Sequence, residues 1–137
     1  MARITSIQID WFDGGLHSEE DFSHEKVVAS RNKGVVKFSR YRMMEEEKQE
    51  YRLDASSCHR FFELMEQADE QGVLDNDYRK FVCDGWAWKW QVRYSDNRIK
   101  ATWGTISFPP FGAEVQSILH ASAKVAKISP LPKVFGC

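Results

Sequence analysis

The chain is short of cysteine, and what it has suits neither metal nor disulfide chemistry. Cys58, Cys83 and Cys137 are odd in number and form no CxxC pair, so neither a disulfide framework nor a zinc ribbon is expected. That usage fits a reducing compartment and a cytoplasmic protein. Net charge is almost absent as well: formally −1, with a pI near 6.4. A near-neutral balance removes the main electrostatic argument for a dedicated nucleic-acid binder and leaves room only for a local basic patch. No apolar run approaches the length of a membrane span, and the opening residues have no unbroken apolar core; neither membrane insertion nor a signal peptide is expected. A Walker loop, a dinucleotide fingerprint, a nucleophile elbow, an HExxH helix and an EF-hand loop are all missing. No cofactor is expected, no catalytic residue is assigned, and the reading leans away from an enzyme.

What the chain has in abundance is aromatic side chains. Five Trp and nine Phe occur among 137 residues, enough to pack a single-domain core without staples. Thr5, Ile7, Ile9 and Trp11 alternate with polar residues and mark a first strand. Asp13-Gly14-Gly15 ends it, and the acidic stretch 16–25 reads as a loop. Two β-prone runs around Asn32-Lys33-Gly34 read as a hairpin, with Gly34 suited to a left-handed position. Residues 43–49, with Glu45-Glu46-Glu47, read as a solvated turn. Asp54 is a plausible N-cap, and Cys58, Phe61, Phe62, Met65 and Ala68 follow at helical spacing, with Gly72 as the stop.

The clearest element is Trp86, Trp88, Trp90, Val92 and Tyr94, alternating with Ala87, Lys89, Gln91 and Arg93. Ser95-Asp96-Asn97-Arg98 then turns the chain. A two-residue loop at Asp96-Asn97 predicts that Tyr94 faces Ile99, Val92 faces Ala101, Trp90 faces Trp103, Arg93 faces Lys100 and Gln91 faces Thr102, like with like. Pro109-Pro110 closes this region. Phe111, Val115, Ile118, Leu119, Ser122, Val125 and Ala126 mark the stripe of a second helix.

Two units thus share one plan, hairpin then helix, over 26–71 and 86–127, with a tail at 129–137. The expected fold is α+β: an antiparallel sheet of four to five strands, both helices on one face. Within residues 84–127, Asp84-Gly85-Trp86, the strand, the polar turn, Trp103-Gly104 and Pro109 before a helix resemble the hairpin-plus-helix half of many small bacterial domains of unknown function. That resemblance implies a fold and no activity.

Helices rich in Phe, Met and Leu need an apolar sheet face to cover, so the Trp face is expected beneath them, with Trp86 the ring most exposed. The opposite face would then be open, presenting Lys89, Gln91, Arg93, Lys100 and Thr102 as candidate binding residues. Their cations suggest docking of a protein partner, or, as an alternative, of an anion or single-stranded nucleic acid. A third reading takes His17, His24 and Asp13, within the run Asp10 to Glu25 that also holds Glu19, Glu20 and Asp21, as ligands of a metal-dependent enzyme; their spacing matches neither an EF-hand loop nor an HExxH helix. Cys83 beside Asp84 is the only thiol placed for nucleophilic work, since Cys58 falls on the apolar helix face. The leading expectation is a non-catalytic protein-binding module that presents its open sheet face, a sheet edge or the acidic stretch 16–25 to a partner. Inhibitor- and immunity-type proteins share this size, charge mosaic and lack of motifs. A symmetric homodimer through the open face would hide the surface in question.

Overall fold

The structure, a computed structural model, describes residues 3–13, 23–42, 45–79, 86–105, 107–128 and 134. Its elements are β1 (Ile4–Asp13), β2 (His24–Ser30), β3 (Val35–Arg42), β4 (Glu45–Arg52), α1 (Ala55–Glu70), β5 (Trp86–Tyr94), β6 (Ile99–Thr105) and α2 (Ala113–Val125). A short 3-10 turn, Val73–Asp75, follows α1. All six strands join one antiparallel sheet in the order β4-β3-β2-β1-β5-β6. The fold class is as expected, with one strand more than the upper count.

That extra strand is β4, most of which falls in the stretch 43–49 where the sequence predicts a solvated turn. Six of its eight residues are exposed. A strand at a sheet edge with Tyr51 as its one residue packed on the core has no apolar alternation to betray it.

Cross-strand registry sorts the side chains cleanly. Ile7, Ala29, Val36, Tyr51 and Val92 form one row; Ile9, Val27, Phe38 and Trp90 form the next; Trp11, Glu25, Arg40 and Trp88 a third. These rows hold the core. Trp88, Trp90, Val92 and Tyr94 are all buried, so the indoles do point inward, and Trp86 is only partly covered. Phe61, Phe62 and Met65 of α1, with Val115, Leu119 and Ala123 of α2, close over them.

Local signals positioned α1 as read. Asp54 Oδ1 accepts a hydrogen bond from the Ser57 amide at 2.7 Å, satisfying one of the orphan donors of the first turn. Gly72, at φ +75°, ends the helix in the left-handed region, and Gly34, at φ +62°, does the same work in the hairpin loop. The α2 stripe needs correction. Its buried face is Val115, Gln116, Leu119 and Ala123, whereas Val125 is 84% exposed. Gln116 is turned inward because its side-chain amide donates to the Val134 carbonyl at 3.0 Å. Glu25 Oε1 accepts from the Val134 amide at 2.8 Å. The tail is therefore held on the body at Val134, while Leu131 and Phe135, expected to pack beside it, lie outside the described residues.

Tyr51 ties β4 to α2. Its hydroxyl lies 3.5 Å from the Leu119 carbonyl oxygen and 3.2 Å from Ser122 Oγ. Burial pushes its pKa up to about 12, against a small opposing effect of Ser122. The neutral form is favoured in the folded state, so this contribution is complete below the unfolded value near 10 and is lost as pH rises towards about 12. Alkaline titration should cost roughly 2 kcal/mol of stability through this group. Tyr51→Phe should flatten the fall between those two values, followed by urea denaturation at each pH. Tyr94, raised by burial and by its hydrogen bond to Asp69, keeps a fall of the same sign in the variant.

Candidate functional surface

No helix among the described residues lies on the other face of the sheet. Along it, row by row from β4 to β6, lie Arg52, Val35, Ser30, Ser6, Arg93 and Ile99; then Glu50, Lys37, Val28, Gln8, Gln91 and Ala101. The third row is Lys48, Ser39, Lys26, Asp10, Lys89 and Trp103, and the fourth Glu46, Tyr41, His24, Phe12, Ala87 and Thr105. Among the described strand residues from β3 to β6 this face bears Lys26, Lys37, Lys89 and Arg93 against a single carboxylate, Asp10. On β4 the charges cancel. A protein of net charge −1 thus concentrates positive charge on one flat face.

The polar centre of this face is built around Asp10. Its Oδ1 lies 2.8 Å from His24 Nε2 and its Oδ2 accepts from Gln8 Nε2 at 3.0 Å. Lys26 and Lys89 flank it across the ladder on either side. Asp10 is 4% exposed although it sits on the open face, because these longer neighbours surround it. A carboxylate so enclosed needs its hydrogen bonds, and both oxygens have them.

Next to it runs a stack of rings. Phe12 and His24 are parallel within 20° at 4.5 Å between centroids, and His24 and Tyr41 within 22° at 4.9 Å. His24 is thereby sandwiched, both faces taken by its cross-strand neighbours. At the far edge the Lys89 ammonium sits 4.6 Å from the Trp103 ring centroid, a cation–π contact. Between β2, β3 and β4 the side chains leave a groove of about 490 Å³, bordered among others by Lys26, Lys37, Tyr41, Glu46 and Lys48.

Only part of the expected site is assembled here. Lys89, Gln91 and Arg93 lie on the open face, but Lys100 and Thr102 do not. Observed registry puts Arg93 opposite Ile99, Val92 opposite Lys100, Trp90 opposite Thr102 and Lys89 opposite Trp103. The cause is the turn. Asn97 adopts φ +70°, the Asn97 amide donates to the Tyr94 carbonyl and the Tyr94 amide to the Arg98 carbonyl, both at 2.9 Å. This is a three-residue loop with a bulge, one residue longer than the two-residue loop expected. The one-residue difference turns every β6 side chain over.

Lys100 and Thr102 are accommodated on the helix face by partners distant in sequence. Lys100 Nζ reaches Asp75 at 2.9 Å and Asp69 at 3.0 Å. The Asp75 carboxylate, and with it Asp69, holds its ammonium charged well above the usual lysine range. Thr102 Oγ1 donates to the Leu74 carbonyl at 2.6 Å and is buried. The like-charge pair of Arg93 with Lys100 does not form, because Lys100 and Thr102 lie on the helix side of the sheet and Arg93 on the open side.

The metal reading fares no better as an assembly. Asp13 follows Trp11 onto the helix side of β1, away from His24, and His17 lies outside the described residues, as does Cys83. Among the described residues no group of three or more His, Cys, Asp and Glu side chains could hold a metal ion. No helix among them is long and apolar enough to cross a membrane. Cys58 is buried against α1's neighbours, and burial pushes its thiol up, away from the reactive thiolate. The Asp10–His24 contact escaped the sequence reading. Alternation along β1 had put Asp10 beside Gln8 on a polar face, but His24 was read as loop, so no face could be assigned to it. In sequence comparison no protein-family model and no curated protein matches this chain.

Proposed function

We propose that this domain is a non-catalytic protein-binding module that presents the uncovered face of its sheet to a partner surface rich in acidic groups. The observation that carries the reading is a segregation of side chains: helices on one side, Lys26, Lys37, Lys89 and Arg93 on the other, with Asp10 the lone counter-charge among the described strand residues from β3 to β6. Such a face steers an anionic partner and fixes its orientation. Flat rings presenting their edges, mixed with amide and hydroxyl groups, suit the adaptable contacts of a protein interface.

The same cations would serve single-stranded nucleic acid, and the rings decide between the two. Nucleobases bind sheets by stacking on free aromatic faces. Here His24 is closed on both sides and Trp103 is covered by Lys89. A protein partner is the better fit.

The test uses two probes of equal charge, a glutamate-rich peptide carrying aromatic residues and an oligothymidylate, each followed by fluorescence anisotropy. The peptide should bind, weaken as salt rises, and lose at least about tenfold in affinity on reversal of Lys89 and Arg93 to Glu. Lys100→Ala should leave peptide affinity unchanged, because its side chain is on the other side of the sheet. Tighter binding of the oligonucleotide would establish the nucleic-acid alternative in its place. No binding of either probe would remove the open face as the docking site.

A further inference from the structure

A second surface carries an inference of its own, at the sheet's edge instead of its face. β4 is the outermost strand on one side, and nothing among the described residues pairs with its free edge. The opposite edge is partly closed, since Tyr78 bridges to Gly104 on β6 and its amide donates to the Trp103 carbonyl at 2.9 Å. Unpaired strand edges invite a further strand, and proteins usually blunt them with charge. β4 is charged, but in a pattern that does not repel itself.

The backbone decides which residues can pair outward. The Leu53 amide donates to the Gly34 carbonyl on the β3 side at 2.8 Å. Backbone groups alternate along a strand, and the β3–β4 registry is unbroken. Tyr51, Gln49, Glu47 and Glu45 therefore also bond towards β3, and Glu46, Lys48, Glu50 and Arg52 point their N–H and C=O groups away. These four are also the residues whose side chains lie on the open face. Their charges alternate: minus, plus, minus, plus.

Now set a second copy antiparallel along this edge, as a two-fold axis requires. Bonding needs outward-pointing residues opposite one another, so the axis must pass through a residue and not between two. An axis at Lys48 puts Lys48 against itself and Glu46 against Glu50. An axis at Glu50 puts Glu50 against itself and Lys48 against Arg52. Both oppose like charges. An axis at Gln49 pairs Lys48 with Glu50 of the other copy and Glu46 with Arg52, every pair of opposite sign and every pair made twice. Registers one step further out keep opposite signs but lose half of those pairs. One arrangement is selected.

Competing claims on these side chains are light. Arg42 engages Glu45 and Glu47, and Arg40 approaches Glu47, so the inward-bonding acids are already neutralised within the chain. Glu46 meets Lys48 at 3.5 Å. Arg52 and Glu50 have no salt bridge among the described residues.

We infer that the protein forms a homodimer by antiparallel pairing of β4 with β4 of a second copy, centred on Gln49, to give one continuous sheet of both chains. The ladder contains about eight backbone hydrogen bonds, two for each bonded pair. Sedimentation of the full chain over a concentration series should show a monomer–dimer equilibrium that weakens with salt. Lys48→Glu alone, or Glu50→Lys alone, should weaken it about tenfold, because each opposes like charges twice per dimer. The double swap K48E/E50K should restore it, which a mere folding defect would not. Lys48→Pro removes an outward donor while sparing the bonds to β3 and should abolish the dimer with circular dichroism unchanged. A chain that stays monomeric at its highest soluble concentration overturns the proposal. So does a dimer indifferent to both charge substitutions.

Discussion

Replacing Gly104 by alanine should lower stability by about 3 kcal/mol, a large effect for one methyl group. Gly104 stands directly opposite Trp88 in the β5–β6 ladder. A Cβ at that position would overlap Cζ2 and Cε2 of the Trp88 indole and lie 2.6 Å from its Nε1. The ring has nowhere to retreat. Trp88 is 2% exposed, it meets Phe111 edge-on and Tyr78 at 5.9 Å between centroids, and its Nε1 donates to the Ser107 carbonyl. Gly104 is not in the left-handed region, so the demand is for space and not for backbone freedom. Trp88→Phe would open that space at its own cost in lost packing. In the double variant G104A/W88F the two losses should therefore add to less than their sum, a coupling of about 1–2 kcal/mol by urea denaturation. An alanine variant as stable as the parent would mean that the indole is not held where it is described.

The second large effect concerns charge placed inside the protein. Glu25 and Arg40 face one another in the β2–β3 ladder on the helix side, 2% and 1% exposed. Glu25 also anchors the Val134 amide, and the Arg40 guanidinium lies 5.1 Å from the Phe38 ring centroid. Glu25→Ala removes the carboxylate across the ladder from Arg40, whose Nε keeps Glu47 at 3.6 Å, and takes the acceptor from the buried Val134 amide; it should cost about 3 kcal/mol. Replacing both, as E25L/R40L, should cost less than the single change, because the buried guanidinium leaves together with the carboxylate that faces it, even though the Val134 amide has lost its acceptor. Chemical denaturation of the three proteins decides the matter. A double variant worse than Glu25→Ala would show that these groups act separately.

How far the sequence reached depended on whether its signals were local. Asp54 and Gly72 bound α1 through bonds and dihedral angles within a few residues, so they were readable. The Trp86–Tyr94 alternation needed only its own period. Registry across the β5–β6 hairpin was not readable in the same way. Ser95-Asp96-Asn97-Arg98 admits a two- or three-residue loop, and pairing apolar with apolar favoured the shorter one. What reverses the choice is a set of partners far along the chain: Asp69 and Asp75 for Lys100, the Leu74 carbonyl for Thr102. They make an inward-facing lysine and threonine acceptable, and they send Trp103 out to meet Lys89. The candidate face suffered accordingly. Lys89, Gln91 and Arg93 were found from their own strand, whereas Lys26, Lys37 and Tyr41 join them only through a sheet order that places β1 between β2 and β5. β4 stayed hidden because an edge strand that sends only Tyr51 into the core leaves no apolar rhythm to read.

The central position of β1 has a bearing on synthesis. One of its neighbours, β2, follows almost at once, but the other is β5, and Thr5 Oγ1 donates to the Arg93 carbonyl across 88 positions of chain. On the ribosome the first strand emerges long before this companion and must wait with one flank unmatched. The β4 to β1 half can gather early, leaving an exposed apolar seam until residues 86–94 clear the exit tunnel. Pairing strands so distant in sequence costs loop-closure entropy before it yields contacts, which slows folding relative to a chain with only local pairings.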